Sequence, residues 1–150
     1  MMKQGRWVFL LSSIVFGVAV MLFFALAYPH HLHFQEQYQL FQFNRSYVLD
    51  VLSLPGGVAD LVGRFLTQFF LYAWVGATLI ALVLVGIQYL TYRLLSQSHD
   101  DIFANALSFI PSILCCCFLC DENALMSVPV AMLIVVGGVL SIRCIRAEEI

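Results

Sequence analysis

Charge is what this 150-residue chain has least of: Asp, Glu, Lys and Arg make up 11% of it, against about 25% in an ordinary soluble domain. With 62% of its residues hydrophobic, the chain lacks the polar surface that a water-soluble globule of this size must show. Its exterior therefore faces lipid. Excess positive charge is missing too. Seven Lys and Arg stand against nine Asp and Glu, a net charge of -2, which leaves no basic face to track phosphates and excludes a nucleic-acid role. A spaced disulfide framework is also absent. Of five cysteines, Cys115, Cys116, Cys117 and Cys120 crowd one apolar run, and Cys144 lies far from them, so cysteine usage does not report the redox compartment.

What is present is a set of four apolar runs. A spanning helix needs roughly 20 largely apolar residues to cross a hydrocarbon core about 30 Å thick. The run 7–28 carries no charge, follows Lys3 and Arg6, and stops before Pro29. The run 69–92 is equally free of charge, carries Tyr72, Trp74, Tyr89 and Tyr92 near its ends, and is closed by Arg93; such rings prefer the headgroup level. The run 102–120 includes Asn105, Ser108, Pro111 and Ser112, a polar stripe suited to packing on other helices, with a proline that can kink it. The run 125–142 has Pro129 near its start, where a missing N–H is harmless, and Gly137 and Gly138, which permit close helix approach. Only Asp121, Glu122 and Asn123 separate the last two runs, which predicts an antiparallel hairpin packed as a pair.

Orientation follows from Lys and Arg. An N-terminus inside places Lys3, Arg6, Arg93, Arg143 and Arg146, five of the seven, in the cytoplasm and leaves Arg45 and Arg64 outside. Both termini are then cytoplasmic. Ala25-Leu26-Ala27 has the look of a signal-peptide cleavage site, but the apolar stretch exceeds the usual 7–15 residues or so, and a retained span is expected.

The segment 29–68 is too long for a turn and too patterned for a linker. After Leu54-Pro55-Gly56-Gly57, residues Val58, Leu61, Val62, Phe65, Leu66, Phe69 and Phe70 recur at helical spacing, with Asp60, Gly63, Arg64, Thr67 and Gln68 opposite. This predicts an interfacial amphipathic helix, with Asp60 and Arg64 spaced to pair, running through a bend into the second span. Upstream, His30, His31, His33 and Glu36 stand among aromatic and amide side chains in a stretch for which a helix is preferred over a strand.

Several groups invite chemistry. His30, His31, His33 and Glu36 are ordinary zinc ligand types, but their spacing is no recognised ligand pattern; solvated interfacial histidines are preferred, and neither metal nor cofactor is expected. Glu36, Asp60 and Asp121 are the candidate catalytic carboxylates, with Asp50 and Glu122 beside them as further outward acids and Arg64 and His33 as candidate lipid or phosphate contacts. Two outward acids meeting from successive loops are what transfer of a sugar from a polyprenyl-linked donor requires; acids in loops are more often simply solvated. The C-x-x-C spacing that ends at Cys120 lacks the preceding strand of a redox motif and reads as packing. Asn44-Arg45-Ser46 matches a glycosylation sequon, to which no function is attached.

The stretch Tyr28-Pro29-His30-His31-Leu32-His33-Phe34-Gln35-Glu36-Gln37-Tyr38-Gln39-Leu40-Phe41, with Leu52-Ser53-Leu54-Pro55-Gly56-Gly57 after it, resembles the N-terminal part of an uncharacterised Bacteroidales family of multipass inner-membrane proteins, the domain of unknown function 6057. The likeness continues through Asp60, Phe65-Leu66-Thr67-Gln68-Phe69-Phe70 and the second apolar run. It implies a bacterial inner-membrane location and longer relatives with further helices, and it carries no activity. Polyprenyl-dependent glycosyltransferases share the plan of one helix, an outer loop with an acid, and further spans, at the level of fold analogy alone.

These readings combine into an all-α, polytopic bundle of about four spans forming a single membrane domain over 1–150, with an interfacial helix in its first outer loop. A non-enzymatic role is preferred, with the outer loop as a packing or interaction surface; the alternative is a fragment or subunit of a polyprenyl-linked-sugar transferase. The expected partners are membrane lipids and further membrane helices, from another protein or a second copy.

Overall fold

The computed structural model describes residues 2–29, 32, 41, 44–96, 101–121 and 123–148. Among these, the chain forms six α-helices and no strand: α1 (Met2–Leu22), α2 (Arg45–Leu52), α3 (Gly57–Thr67), α4 (Ala73–Leu95), α5 (Asp101–Leu119) and α6 (Ser127–Glu148). Four segments are long and apolar enough to cross a membrane: Trp7–Ala27, Ala73–Leu95, Ile102–Leu119 and Ser127–Arg146. In hydrocarbon a helix satisfies every interior backbone group within itself, which is why uninterrupted apolar runs become helices here. The first span closes with a π-helical turn, Phe23–Ala27.

The second span starts at Ala73 and not at 69. Residues Gln68–Leu71 form a tight 3-10 turn and Tyr72 is extended (φ -101°, ψ 106°), so the bend between outer helix and span falls at Tyr72. Gly76 lies under Phe70 there, where a Cβ would sit 2.9 Å from the ring. A large side chain could not follow that corner.

Helix α4 is the centre of the bundle, packed along α1, α5 and α6. It is the most covered span, with 39% of its apolar window buried, and α6 is the least, with 11%. Most of the core lies in one half of the bundle, where Phe24, Leu32, Phe70, Ile80, Leu84, Leu119 and Met126 are buried together. A smaller cluster of Phe9, Tyr92 and Ala104 closes the opposite end, with the Phe9 and Tyr92 rings stacked at 4.1 Å.

Two expectations about packing are corrected. Helices α5 and α6 do not pair as a hairpin; each lies along α4, and they meet where Cys115 Sγ stands 3.5 Å from Met132 Sδ. The reason is the connection between them. Leu119, Ala124 and Met126 sink into the core, and this carries the start of α6 away from α5 and over α3. Gly137 and Gly138 are not close-approach sites either: a Cβ on Gly137 would only touch Leu90, at 3.5 Å, and on Gly138 would meet nothing within 4 Å.

The polar stripe of α5 does face protein, as its spacing predicts. Ser108 and Ser112 are buried, Ser112 Oγ donates to Leu84 O at 2.9 Å, and Ser12 Oγ reaches Asn105 Oδ1 at 3.4 Å.

Candidate functional site

Beside the spans lies a pair of short helices, α2 and α3. Asn44 caps α2, its side-chain oxygen accepting from Ser46 N–H at 3.3 Å, as an extended Asn at this position commonly does; here the sequon asparagine serves the fold. Between α2 and α3 the chain turns back through Leu54, Pro55 and Gly56. Gly56 adopts φ 79°, a left-handed conformation that costs glycine nothing, and a Cβ on Gly57 would run into Val51 O.

Helix α3 is two-faced, in a particular sense. Ala59, Gly63 and Thr67, four residues apart, are buried against α6. At Gly63 the contact is backbone to backbone, since a Cβ there would lie 2.6 Å from Ser127 N and 2.8 Å from Ser127 Cα. The large residues Val58, Val62, Phe65 and Phe69 keep between 39% and 58% of their exposure, with the Phe41 ring edge-on to Phe65 at 5.7 Å. Small side chains permit the close approach of two helices, so the small face goes to α6 and the bulky one keeps its exposure.

Along the flank of α3, Arg64 donates from Nε to Asp60 Oδ2 at 3.0 Å, its second terminal nitrogen stands 2.9 Å from the same oxygen, and Nη1 donates to the Tyr47 hydroxyl at 3.3 Å. The bond to Asp60 raises the Arg64 pKa above its ordinary value, against a smaller lowering by burial, and Tyr47 adds to the rise. Asp60 and Arg64 also line a pocket of about 370 Å³ with Pro55, Ser127 and Val128 at the start of α6. Arg64 is charge-compensated, so the pocket offers one guanidinium edge and a carboxylate already engaged, and no free charge of either sign.

The structure thus brings Asp60 and Arg64 together. Asp121 is exposed in the α5–α6 connection, its Oδ1 accepting from Asn123 N–H at 2.9 Å, and Asp50 contributes its backbone carbonyl to Ser53 Oγ at 2.7 Å. His30, His31, His33, Glu36 and Glu122 lie outside the described residues. Among the described residues no three His, Cys, Asp or Glu side chains gather to hold a metal. Cys115 is buried and Cys117 exposed on the same helix, while Cys120 Sγ donates to Cys116 O at 3.3 Å.

Sequence reasoning missed Tyr47 and Ser127. Tyr47 sits on α2, whose N-cap Asn44 is the signal that announces it. Ser127 is the seat of Gly63, and the small-residue repeat Ala59, Gly63, Thr67 is the signal for a seat of some kind.

A second set of polar groups lies inside the spans. Gln88 is fully buried on α4 with neither Oε1 nor Nε2 bonded among the described residues, and Ser13 Oγ on α1 is likewise buried and unpartnered there.

Four helices long and apolar enough to span a membrane, three of them packed along α4, with the short helix α3 seated on the last, define an all-α polytopic membrane bundle. The chain belongs to a family of unknown function, DUF6057, whose model matches residues 3–150. The match takes in α5 and α6 as well as the N-terminal half that carries the resemblance. No curated protein and no solved structure shows significant similarity to the chain.

Proposed function

We propose that this chain is a non-enzymatic module of a bacterial inner membrane, with both termini in the cytoplasm, whose outer layer α2–α3 is a packing and interaction surface at the outer leaflet. The observation that carries it is the division of α3, which places Ala59, Gly63 and Thr67 against α6 and leaves Val58, Val62, Phe65 and Phe69 partly exposed. An apolar stripe beside an ion pair is the pattern of a helix lying in the interface plane. The uncovered face of α6, with Val135, Ile142 and Ile145 exposed, is further surface for lipid or a partner helix. Among the described acids, Asp60 is engaged by Arg64 and Asp121 by Asn123 N–H, which favours this reading over sugar transfer.

The test is depth measurement. With Trp7 and Trp74 replaced by Phe, Phe65→Trp in reconstituted vesicles is expected to be quenched by lipids brominated high on the acyl chain. Water-like emission with no quenching would overturn the interfacial assignment. Orientation is read separately: in a cysteine-free variant, Arg45→Cys is expected to react with an impermeant maleimide from the periplasmic side only, and labelling from the cytoplasmic side would invert it.

A further inference from the structure

The pocket of about 370 Å³ between α3 and the start of α6 is lined by both members of one ion pair, Asp60 and Arg64. The pair is neutral as a whole and yet does not saturate itself. Both Arg64 contacts to Asp60, at 3.0 and 2.9 Å, fall on Oδ2, and Oδ1 has no partner among the described residues. A guanidinium carries five N–H donors. Asp60 engages Nε and Nη2, and Tyr47 engages Nη1, which leaves one N–H on each terminal nitrogen. Both side chains are partly exposed, so a ligand can reach them.

A lone anion entering here would meet the Asp60 carboxylate, and a lone cation the Arg64 guanidinium. A zwitterion meets each with its opposite. The Ser127 backbone lies under Gly63, so the first turn of α6 stands beside Arg64, and the positive end of that helix favours the anionic group there. The cationic group then falls to Asp60.

Size and the rest of the wall select the zwitterion. In phosphoethanolamine four bonds of about 1.5 Å join nitrogen to phosphorus, which keeps the charges within about 5 Å of each other and lets them engage one ion pair together. Its heavy atoms, about eight at roughly the 30 Å³ of a water molecule each, occupy about 240 Å³. The pocket has room for them. Its remaining wall is apolar, made by Leu54, Pro55, Leu125, Val128 and Ala131, and suits the first carbons of a lipid better than the polar body of a soluble zwitterion.

We propose that this pocket holds the headgroup of one phosphatidylethanolamine, with its phosphate on the free N–H groups of Arg64 and its ammonium on Asp60 Oδ1. The site deepens the interfacial reading of α2–α3, on which it rests, by naming the partner.

The purified full chain in mild detergent, offered phosphatidylethanolamine, phosphatidylglycerol and phosphatidylcholine of identical acyl chains, tests this by native mass spectrometry. Phosphatidylglycerol has no ammonium, and the trimethylated nitrogen of phosphatidylcholine has no N–H. The wild type is therefore expected to retain one phosphatidylethanolamine with roughly tenfold preference over either, the worth of about one charge-assisted hydrogen bond. Asp60→Asn frees Arg64 and is expected to turn the preference to phosphatidylglycerol, a reversal that lost packing would not give. Val128→Trp, at a wall position that is 44% exposed, fills the pocket and abolishes the preference, with circular dichroism confirming helicity in both variants. Equal retention of the three lipids by the wild type means exchangeable annular lipid only and overturns the proposal. So does a preference unchanged in Asp60→Asn or Val128→Trp, and so does displacement of the lipid by equimolar glycerophosphoethanolamine, which assigns the pocket to a soluble zwitterion. Phe65→Trp separates the two readings: interfacial quenching without lipid preference sinks this site alone, whereas water-like emission sinks the interfacial layer and the site together.

Discussion

Replacing Gly63 by Ala adds one methyl group at the place where α3 and α6 touch backbone to backbone. The new carbon would stand 2.6 Å from Ser127 N and 2.8 Å from Ser127 Cα. Comfortable separations are about 3.5–4.0 Å, so α3 must retreat by roughly 1 Å. No side chain can rotate to absorb this, because the obstacle is the first turn of α6, and the retreat also loosens Ala59 and Thr67 on the same face. Overpacking of this kind costs about 1–3 kcal/mol, of which the better helix propensity of Ala returns up to about 1 kcal/mol. A net loss of about 1–2 kcal/mol is expected. Gly138→Ala is the matched control, since its Cβ meets nothing within 4 Å and lipid already enforces the helix there; its effect should stay within about 0.5 kcal/mol. Steric trapping in bicelles measures both. If Gly63→Ala proves as stable as Gly138→Ala, α3 is not seated backbone to backbone on Ser127.

Ser112→Ala deletes the buried bond to Leu84 O and should cost about 0.6 kcal/mol, at most about 1.7, measured the same way. Gln88→Leu removes an amide with no partner among the described residues, so it should be neutral or stabilising by up to about 1 kcal/mol; a large loss would reveal a partner for the amide. Arg64→Met should cost less than about 1 kcal/mol, because Arg64 and Asp60 keep 35% and 27% of their side-chain exposure and such pairs are screened. The Arg64 pKa is raised in the folded state, so its contribution is complete below the ordinary guanidinium value and is lost only as pH climbs through the raised one. The stability difference between wild type and Arg64→Met should therefore stay flat from neutral to mildly alkaline pH, which thermal unfolding at several pH values checks.

The spans were legible because twenty or so apolar residues without charge have one stable form in a bilayer, and the Asp60–Arg64 pair because four residues is one helical turn. The faces of α3 were half legible. Its spacing separates Val58, Val62, Phe65 and Phe69 from Gly63 and Thr67 but does not decide which set meets α6; the small set does, because only there can the two backbones touch, at Gly63 and Ser127. The short link after Asp121 fixes the antiparallel direction of α6 and not its neighbour, which is decided by Ala124 and Met126 entering the core. Gly137 and Gly138 looked like a contact because glycine permits one; only the partner's position shows that Gly63 uses this freedom and Gly138 does not. Tyr47 is far from Arg64 along the chain, and no local pattern predicts their meeting.

The seat for Gly63 is formed by Met126 and Ser127, residues made long after α3 itself. At about 5–20 residues per second, a ribosome spends several seconds between delivering the helix and delivering its resting place. During that interval α3 can rest only on chain already made: on α2, whose Tyr47 meets Arg64, and on Phe41, whose ring stands 5.7 Å from that of Phe65. The small face of α3 thus gains its seat only once the start of α6 has been made, so this contact is settled late in the life of the nascent chain.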